Sequence, residues 1–284
     1  MNAVPTHHQT TVEGLTLHHR EVGSGPPILM IHGWPTSSAL WRNILPIVGR
    51  THRAIAIDLP GFGQSSKPLD ASYSFRFFDR ILDGFLEQLG IEEVGLVVHD
   101  LGGPVGLHWA VQRLERIRKL ALMNTLVYPD LSFAVMAFIA AARLPLVRNL
   151  LTSAWGLEQA LYLGVTDRRR LAPDAAASFV APFRNRADRR ALAKAAVGLH
   201  PGGLKTIALR LPEFKGPVRI LYGANDRILP EFPTKTLAQL RRDLPQAEVT
   251  ELEDCGHFLQ EERPKDIGTL LHRFFDESAT GEEC

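Results

Sequence analysis

A mostly parallel α/β sheet, flanked by helices on both faces and interrupted by one helical insertion, is the fold class this sequence predicts. Two patterns carry the prediction. Short apolar runs alternate with longer amphipathic segments up to about residue 125 and again after residue 204, as strands and their covering helices do. Between those stretches, residues 126–204 read as helical segments without a convincing strand, punctuated by Pro145, Pro173, Pro182 and Pro201. The chain therefore divides into a core of 1–125 and 205–284 and a helical cap of 126–204. An insertion of roughly 80 residues placed after a strand is positioned to cover a pocket at the strand ends.

The elements follow in order. Leu15 to Glu21 alternates and predicts an early strand. Ile28 to Ile31 is a buried strand ending at His32-Gly33, and Arg53 to Ile57 is the next, ending at Asp58-Leu59-Pro60-Gly61. Phe75 to Leu89 has helical spacing and stops at Gly90. Val94 to Val98 is a strand feeding Asp100, with a helix from Gly102 to Val111 behind it. Leu120 to Met123, Val218 to Tyr222 and Glu248 to Leu252 are further strands, and Ile267 to Phe275 closes the chain as a helix.

Bulk properties narrow the function. With 32 basic and 31 acidic side chains the net charge is +1, which gives no electrostatic argument for nucleic acid, an anionic membrane or a polyanionic substrate. Cys255 and Cys284 have no paired or CxxC spacing, so neither a disulfide framework nor a cysteine metal site is expected. Met1 to Thr10 lacks a charged start with an apolar stretch behind it. Leu131 to Ala142 is too short for a bilayer span of about 20 residues. A cytoplasmic protein is the expectation. There is no metal constellation and no phosphate loop, and the glycines after Asp100 lack the G-x-G-x-x-G spacing, so no cofactor is expected. The runs Asp167 to Arg170 and Arg184 to Arg190 read as solvated faces of cap helices.

The segment Val98-His99-Asp100-Leu101-Gly102-Gly103 has the form of a nucleophile elbow, a strand running through a tight turn into a helix. Gly102 and Gly103 meet the need for small residues where strand and helix approach closely. The apex is Asp where Ser is usual. A carboxylate is already ionised at neutral pH, with an unperturbed pKa of about 3.9. It can therefore displace a leaving group from an sp3 carbon without a base, forming an alkyl ester that water must later cleave. Taken alone, Asp100 is read equally well as a helix N-cap. The other pieces decide against that.

His257, in Asp254-Cys255-Gly256-His257-Phe258 after the last strand, is the candidate base. Asp226, in Tyr222-Gly223-Ala224-Asn225-Asp226 after the strand before it, is the carboxylate that would orient it. An Asx turn is Asp226's alternative reading. Asn124 occupies the competing position but cannot carry the charge. Gly33 lets the backbone turn so that the Trp34 N–H, with that of Leu101, forms a two-donor oxyanion hole. Losing one such donor typically costs about 100-fold to 1000-fold in rate. His32 and His99 read as structural groups of the loops that frame the hole, and Cys255 as a packed loop thiol.

These residues resemble the Asp-nucleophile branch of the α/β-hydrolase superfamily, the haloalkane dehalogenases and epoxide hydrolases. The resemblance rests on His32 to Ser38, Trp41-Arg42, Asp58 to Ser65, Lys67-Pro68, Tyr73 to Asp79, Leu96 to Gly103 and Gly256 to Glu261. It implies an eight-stranded α/β-hydrolase sheet with a cap, the order nucleophile, acid, histidine, and a small apolar organic substrate cleaved with water by a monomer or homodimer. Two departures bear on the leaving group. The dehalogenases usually place a halide-binding Trp directly after the nucleophile, where this chain has Leu101. Trp34 holds the position of a second halide donor, and Trp155 in the cap is a further candidate. The epoxide hydrolases use a pair of cap tyrosines, for which Tyr128 and Tyr162 are candidates, with His200 as a substitute acid. The sequence thus predicts dehalogenase-like chemistry first, epoxide hydrolysis second, and a lactone or other ester third. A ligand-binding homologue that has lost its chemistry is the non-enzymatic alternative.

Overall fold

The computed structural model describes residues 3–276. At its centre is an eight-stranded sheet in the order β1-β2-β4-β3-β5-β6-β7-β8. The strands are β1 (Thr6–Val12), β2 (Leu15–Val22), β3 (Pro27–Ile31), β4 (Arg53–Ile57), β5 (Val94–Asp100), β6 (Ile117–Thr125), β7 (Val218–Gly223) and β8 (Glu248–Leu252). β2 pairs antiparallel with β1 and β4, and the remaining neighbours run parallel. The strand missing from the sequence reading is β1. Its sequence, THHQTTV, is exposed over most of its length, so no apolar alternation marks it. Backbone pairing to β2 holds it at the sheet edge.

The central strands are buried on both faces, which is why they read as unbroken apolar runs. Alternate side chains serve opposite layers. Leu29, Ile31, Ile55, Ile57, Leu96 and Val98 pack into one hydrophobic cluster, while Ile28, Met30, Ala54, Ala56 and Val97 pack into the other. The helices are α1 (Leu45–Val48), α2 (Phe75–Gln88), α3 (Gly102–Ala110), α4 (Phe133–Arg143), α5 (Pro145–Leu151), α6 (Ala154–Gly164), α7 (Ala175–Val180), α8 (Arg186–Val197), α9 (Pro201–Arg210), α10 (Leu237–Asp243), α11 (Leu259–Glu262) and α12 (Pro264–Phe275). Phe78, Phe85, Val105 and Trp109 of α2 and α3 fill the first cluster, and Leu45, Ile267 and Leu271 of α1 and α12 fill the second. Residues 126–210 form the helical insertion between β6 and β7. The division expected at 204/205 falls inside α9, which packs on α3 of the core. Cys255 is buried; Cys284 lies outside the described residues.

Parallel strands that all point one way bring β3, β4, β5, β6 and β7 to a common C-terminal edge, and the loops there are pinned by Asp58. Its carboxylate accepts hydrogen bonds from Ser38 N at 2.6 Å, Gln64 N at 2.7 Å and His18 Nδ1 at 2.8 Å. Burial alone would raise its pKa, but the His18 hydrogen bond and the backbone donors hold it well below the usual carboxylate range. Asp58→Ala should therefore lower unfolding free energy by about 3–5 kcal/mol at neutral pH, as for other broken buried pairs. A depressed folded-state pKa stabilises above the unfolded value of about 4 and is lost as pH falls through the folded value. The gap between wild type and variant in denaturant titrations should shrink on acidification, and a gap that widens would show that Asp58 is not held as a carboxylate.

Candidate active site

Asp100 ends β5 and sits in the left-handed region, with φ at 50°. That conformation is costly for a residue with a side chain and persists only where the surroundings enforce it. Here the following helix enforces it. A Cβ on Gly102 would stand 2.4 Å from His32 O, and one on Gly103 would stand 1.5 Å from Thr125 Oγ1. The Thr125 hydroxyl donates to the Asp100 carbonyl at 2.7 Å, bracing the turn from β6. Asp100 does not cap α3: the residue before that helix is Leu101, and no side chain caps it. Its carboxylate faces the other way.

Two backbone donors meet that carboxylate. Trp34 N–H reaches Oδ1 at 2.6 Å, and the Leu101 N–H also bonds to the group. The predicted oxyanion donors are thus both present, occupied by the carboxylate itself. Gly33 makes the approach feasible, since a Cβ there would lie 2.2 Å from Asp100 Cβ. His32 shapes the same loop, with Nδ1 at 2.9 Å from Gly33 O and Nε2 accepting Leu59 N–H at 3.1 Å. The Trp34–Pro35 peptide is cis.

On the other side of Asp100 lies His257, fully buried. Its Nδ1 is 2.8 Å from Asp226 Oδ2, and its Nε2 is 3.2 Å from Asp100 Oδ2 without the alignment of a hydrogen bond. The His257 carbonyl is in turn held by His99 Nε2 at 2.9 Å. Asp226 is itself fixed by Asn124 Nδ2 at 2.6 Å and by Ile228 N–H and Leu229 N–H, both at 2.8 Å. Asn124 is therefore a partner of the acid and not its competitor, a role its position alone does not reveal. Burial by itself would push the His257 ring towards neutrality. The charges of Asp226 and Asp100 outweigh burial and raise its pKa to about 10. Both carboxylates are held below their ordinary range, against the effect of their own burial. Burial instead pushes His99 down to about 3, so it stays neutral.

Above Asp100 is a cavity of about 450 Å³ between core and cap, within the range of small-molecule sites. Trp34, Leu101 and Pro104 line it from the core; Val135, Phe138, Leu151, Trp155 and Leu163 line it from the cap. Besides Asp100, its polar or charged lining is limited to Gln159, Arg227 and the tryptophan indoles. The Trp34 indole N–H is buried without a partner among the described residues. Of the cap residues expected to touch substrate, only Trp155 lines the cavity, and it is 59% exposed. Three expectations are corrected. Tyr128 lies outside the wall because its hydroxyl donates to Asp243 at 2.9 Å. Tyr162 also lies outside it, donating to Glu158 at 2.7 Å under the Arg168 guanidinium. His200 is exposed and accepts Gly202 N–H at the start of α9.

Sequence reasoning also missed Glu262. It accepts Gly256 N–H at 2.6 Å next to His257, and Thr166 N–H at 2.8 Å and Asp167 N–H at 3.0 Å in the cap. Beside it, Glu261 takes a two-pronged bond from Arg42, which also pairs with Asp174 of the cap. The run Gln260-Glu261-Glu262 was visible, but its partners are distant in sequence.

Two outcomes follow. In the resting protein, nitrogen NMR should find the His257 ring protonated well above pH 7. Asp100→Asn removes one of the two supporting charges, so the ring should titrate at lower pH; an unchanged titration would mean that Asp100 does not support the ring. Gly33→Ala should cost at least 100-fold in turnover, by displacing Asp100 from the Trp34 donor, with a smaller change in melting temperature.

Known proteins of similar sequence and structure identify the family to which the chain belongs. A family model described as alpha/beta hydrolase fold matches residues 26–264. A cis-3-alkyl-4-alkyloxetan-2-one decarboxylase of Shewanella oneidensis is 32% identical over 96% of this chain and 89% of its own. Haloalkane dehalogenase 2 of Mycobacterium tuberculosis is 31% identical over 91% of each chain. The crystal structure of haloalkane dehalogenase DbeA from Bradyrhizobium elkani superposes with a TM-score of 0.82 at 28% identity, covering 94% of this chain and 96% of that one. The chain is an enzyme of the α/β-hydrolase superfamily, in its haloalkane dehalogenase-like branch.

Proposed function

We propose that Asp100 is the nucleophile of this enzyme and that it opens a strained, alkyl-substituted oxygen ring of the β-lactone type. The observation that carries the choice is the apolar Leu101 beside Asp100, in a cavity with few polar groups. A departing halide needs convergent N–H donors, and Leu101 removes the first of them. An epoxide needs an acid to protonate its oxygen, and the candidate tyrosines are engaged elsewhere. A β-lactone needs neither. Its leaving group is a carboxylate, a stable anion that stays attached to the substrate. The Shewanella relative, named for an oxetanone substrate, supports the same reading.

The atoms balance without a cofactor. Asp100 Oδ1 is held by the Trp34 donor, so Oδ2 is the attacking oxygen. It forms a bond to the ring sp3 carbon as that carbon's bond to the ring oxygen breaks. The product is an alkyl ester of Asp100 with a free carboxylate on the neighbouring carbon. Loss of CO2 from that carboxylate supplies the electron pair for a C=C bond. The ester C–O bond breaks at the same time and Asp100 is regenerated. Alternatively, water attacks the ester carbonyl. Esterification removes the Asp100 charge, leaving Asp226 alone to oppose the burial of His257. The ring pKa falls, its proton is released to solvent, and the neutral His257 is then a base able to accept the water's proton. The Trp34 and Leu101 N–H groups then stabilise the oxyanion.

One observation favours a second reading, haloalkane hydrolysis: the unpartnered Trp34 indole N–H beside Asp100 is a donor a halide could use. The test is direct. A cis-3,4-dialkyl β-lactone, a terminal bromoalkane and an alkyl epoxide are supplied in parallel, and alkene with CO2, halide and diol are measured. Alkene and CO2 from the lactone alone is the expected result. A β-hydroxy acid would keep Asp100 attack but assign the second step to water. Bromide release with the lactone untouched would replace the proposal by the second reading. Asp100→Asn should lower any of these rates by at least 1000-fold, and mass spectrometry of His257→Gln should find a substrate adduct on the Asp100 peptide if water is the second reactant.

A further inference from the structure

The outer face of the cap is unlike the rest of the surface. Phe133 and Leu146 are 83% and 86% exposed, and Met136, Leu144, Leu150 and Trp155 are each more than half exposed. All six lie on α4, α5, α6 or the joint between the first two. Helix α4 is apolar on every side: Val135 and Phe138 face the cavity while Phe133 and Met136 are bare. A helix apolar all round belongs against a partner on both faces, and a clustered exposed patch marks a surface of interaction. Leu150 and Trp155 are exposed and line the cavity as well, so the cavity and this face are continuous.

Charge identifies the partner. Residues 126–210 hold twelve Lys or Arg and five Asp or Glu, a net charge of +7 in a chain whose total is +1, so the remainder carries −6. The near-neutral total conceals this polarity. Arg143, at the end of α4, and Arg148, on α5, lie in the same stretch of chain as the exposed Leu144, Leu146 and Leu150. No acid pairs with either arginine, or with Arg184, Arg186 or Arg190, among the described residues.

We propose that the cap docks on an anionic bilayer surface, its apolar helices seated in the headgroup region and its arginines on the lipid phosphates. An apolar substrate dissolved in the membrane then enters the cavity past Leu150 and Trp155. This is attachment at the interface. Helices α4 and α5 have 11 and 7 residues and meet at a bend of 110°, and no described helix is long and apolar enough to cross a membrane. A second copy docked through the same face fits less well, because it would bring the like charges of Arg143 and Arg148 together. The proposal does not depend on which leaving group departs from Asp100.

Flotation of the full-length protein with vesicles tests it. Binding is expected to vesicles of phosphatidylcholine mixed with phosphatidylglycerol, with at least a tenfold weakening between low salt and 0.5 M salt and little binding to phosphatidylcholine alone. Phe133→Glu/Leu146→Glu, which replaces no residue that lines the cavity, should weaken vesicle binding at least tenfold with an unchanged melting temperature. Phe133→Ser/Leu146→Ser replaces it if the acidic pair lowers the melt. No flotation at low salt, or flotation that survives these substitutions, overturns the proposal. So does a concentration-dependent dimer in sedimentation that the same substitutions dissociate, which would assign the face to a second copy.

Discussion

A single carboxylate sets the geometry of this site. Asp100 is held by Trp34 and Leu101 N–H groups on one side, stands opposite a charged imidazole on the other, and is carried on a backbone at φ 50°. Each of those constraints reaches into a different part of the fold. The strained turn needs β6 behind it through Thr125. The Trp34 donor needs the loop after β3, which is tied to the loop after β4 by Asp58, accepting Ser38 N–H, and by His32, accepting Leu59 N–H. The imidazole needs β7 and β8 to end where they do. The sheet is thus the device that keeps three charges at hydrogen-bonding distance in a place without water's screening.

Under the proposed function, that arrangement would let His257 support Asp100 in the first step and act as the base in the second. A histidine between two carboxylates is charged and cannot accept a proton. On the proposed mechanism, converting Asp100 to an ester changes the balance in favour of burial, and a base forms only when there is an ester for it to act on. The neutral His99 contributes by orientation and adds no further charge to the cluster.

The sequence made much of this legible, for identifiable reasons. The central strands announced themselves because both faces are buried. The elbow did so because only small residues tolerate the close approach at Gly102 and Gly103. The proximity of Asp226 and His257 to Asp100 is legible because parallel strands deliver their ends to one edge in a fixed order. What escaped was whatever depends on pairing across distance. β1 has no apolar pattern, being held by its edge hydrogen bonds. Asn124 reads as an empty competitor until its amide is seen on Asp226. Tyr128, Tyr162 and His200 were the right residue types for substrate contact, but Asp243, Glu158 and the start of α9 claim their polar atoms first. The cap is the part least fixed by pattern, because helices tell where they begin and end more readily than which face looks inward.

The Glu262 carboxylate has a consequence for how this architecture can change. It binds the backbone beside His257 and, with the same side chain, the backbone of the cap at Thr166 and Asp167. Gly164, at the end of α6, touches Phe258 so closely that a Cβ there would stand 2.4 Å from its ring. Cap and base loop are therefore not independent modules. A cap transplanted from a relative would have to bring its own hinge residues together with the glutamate that meets them, or the graft would alter the position of His257 along with the shape of the pocket.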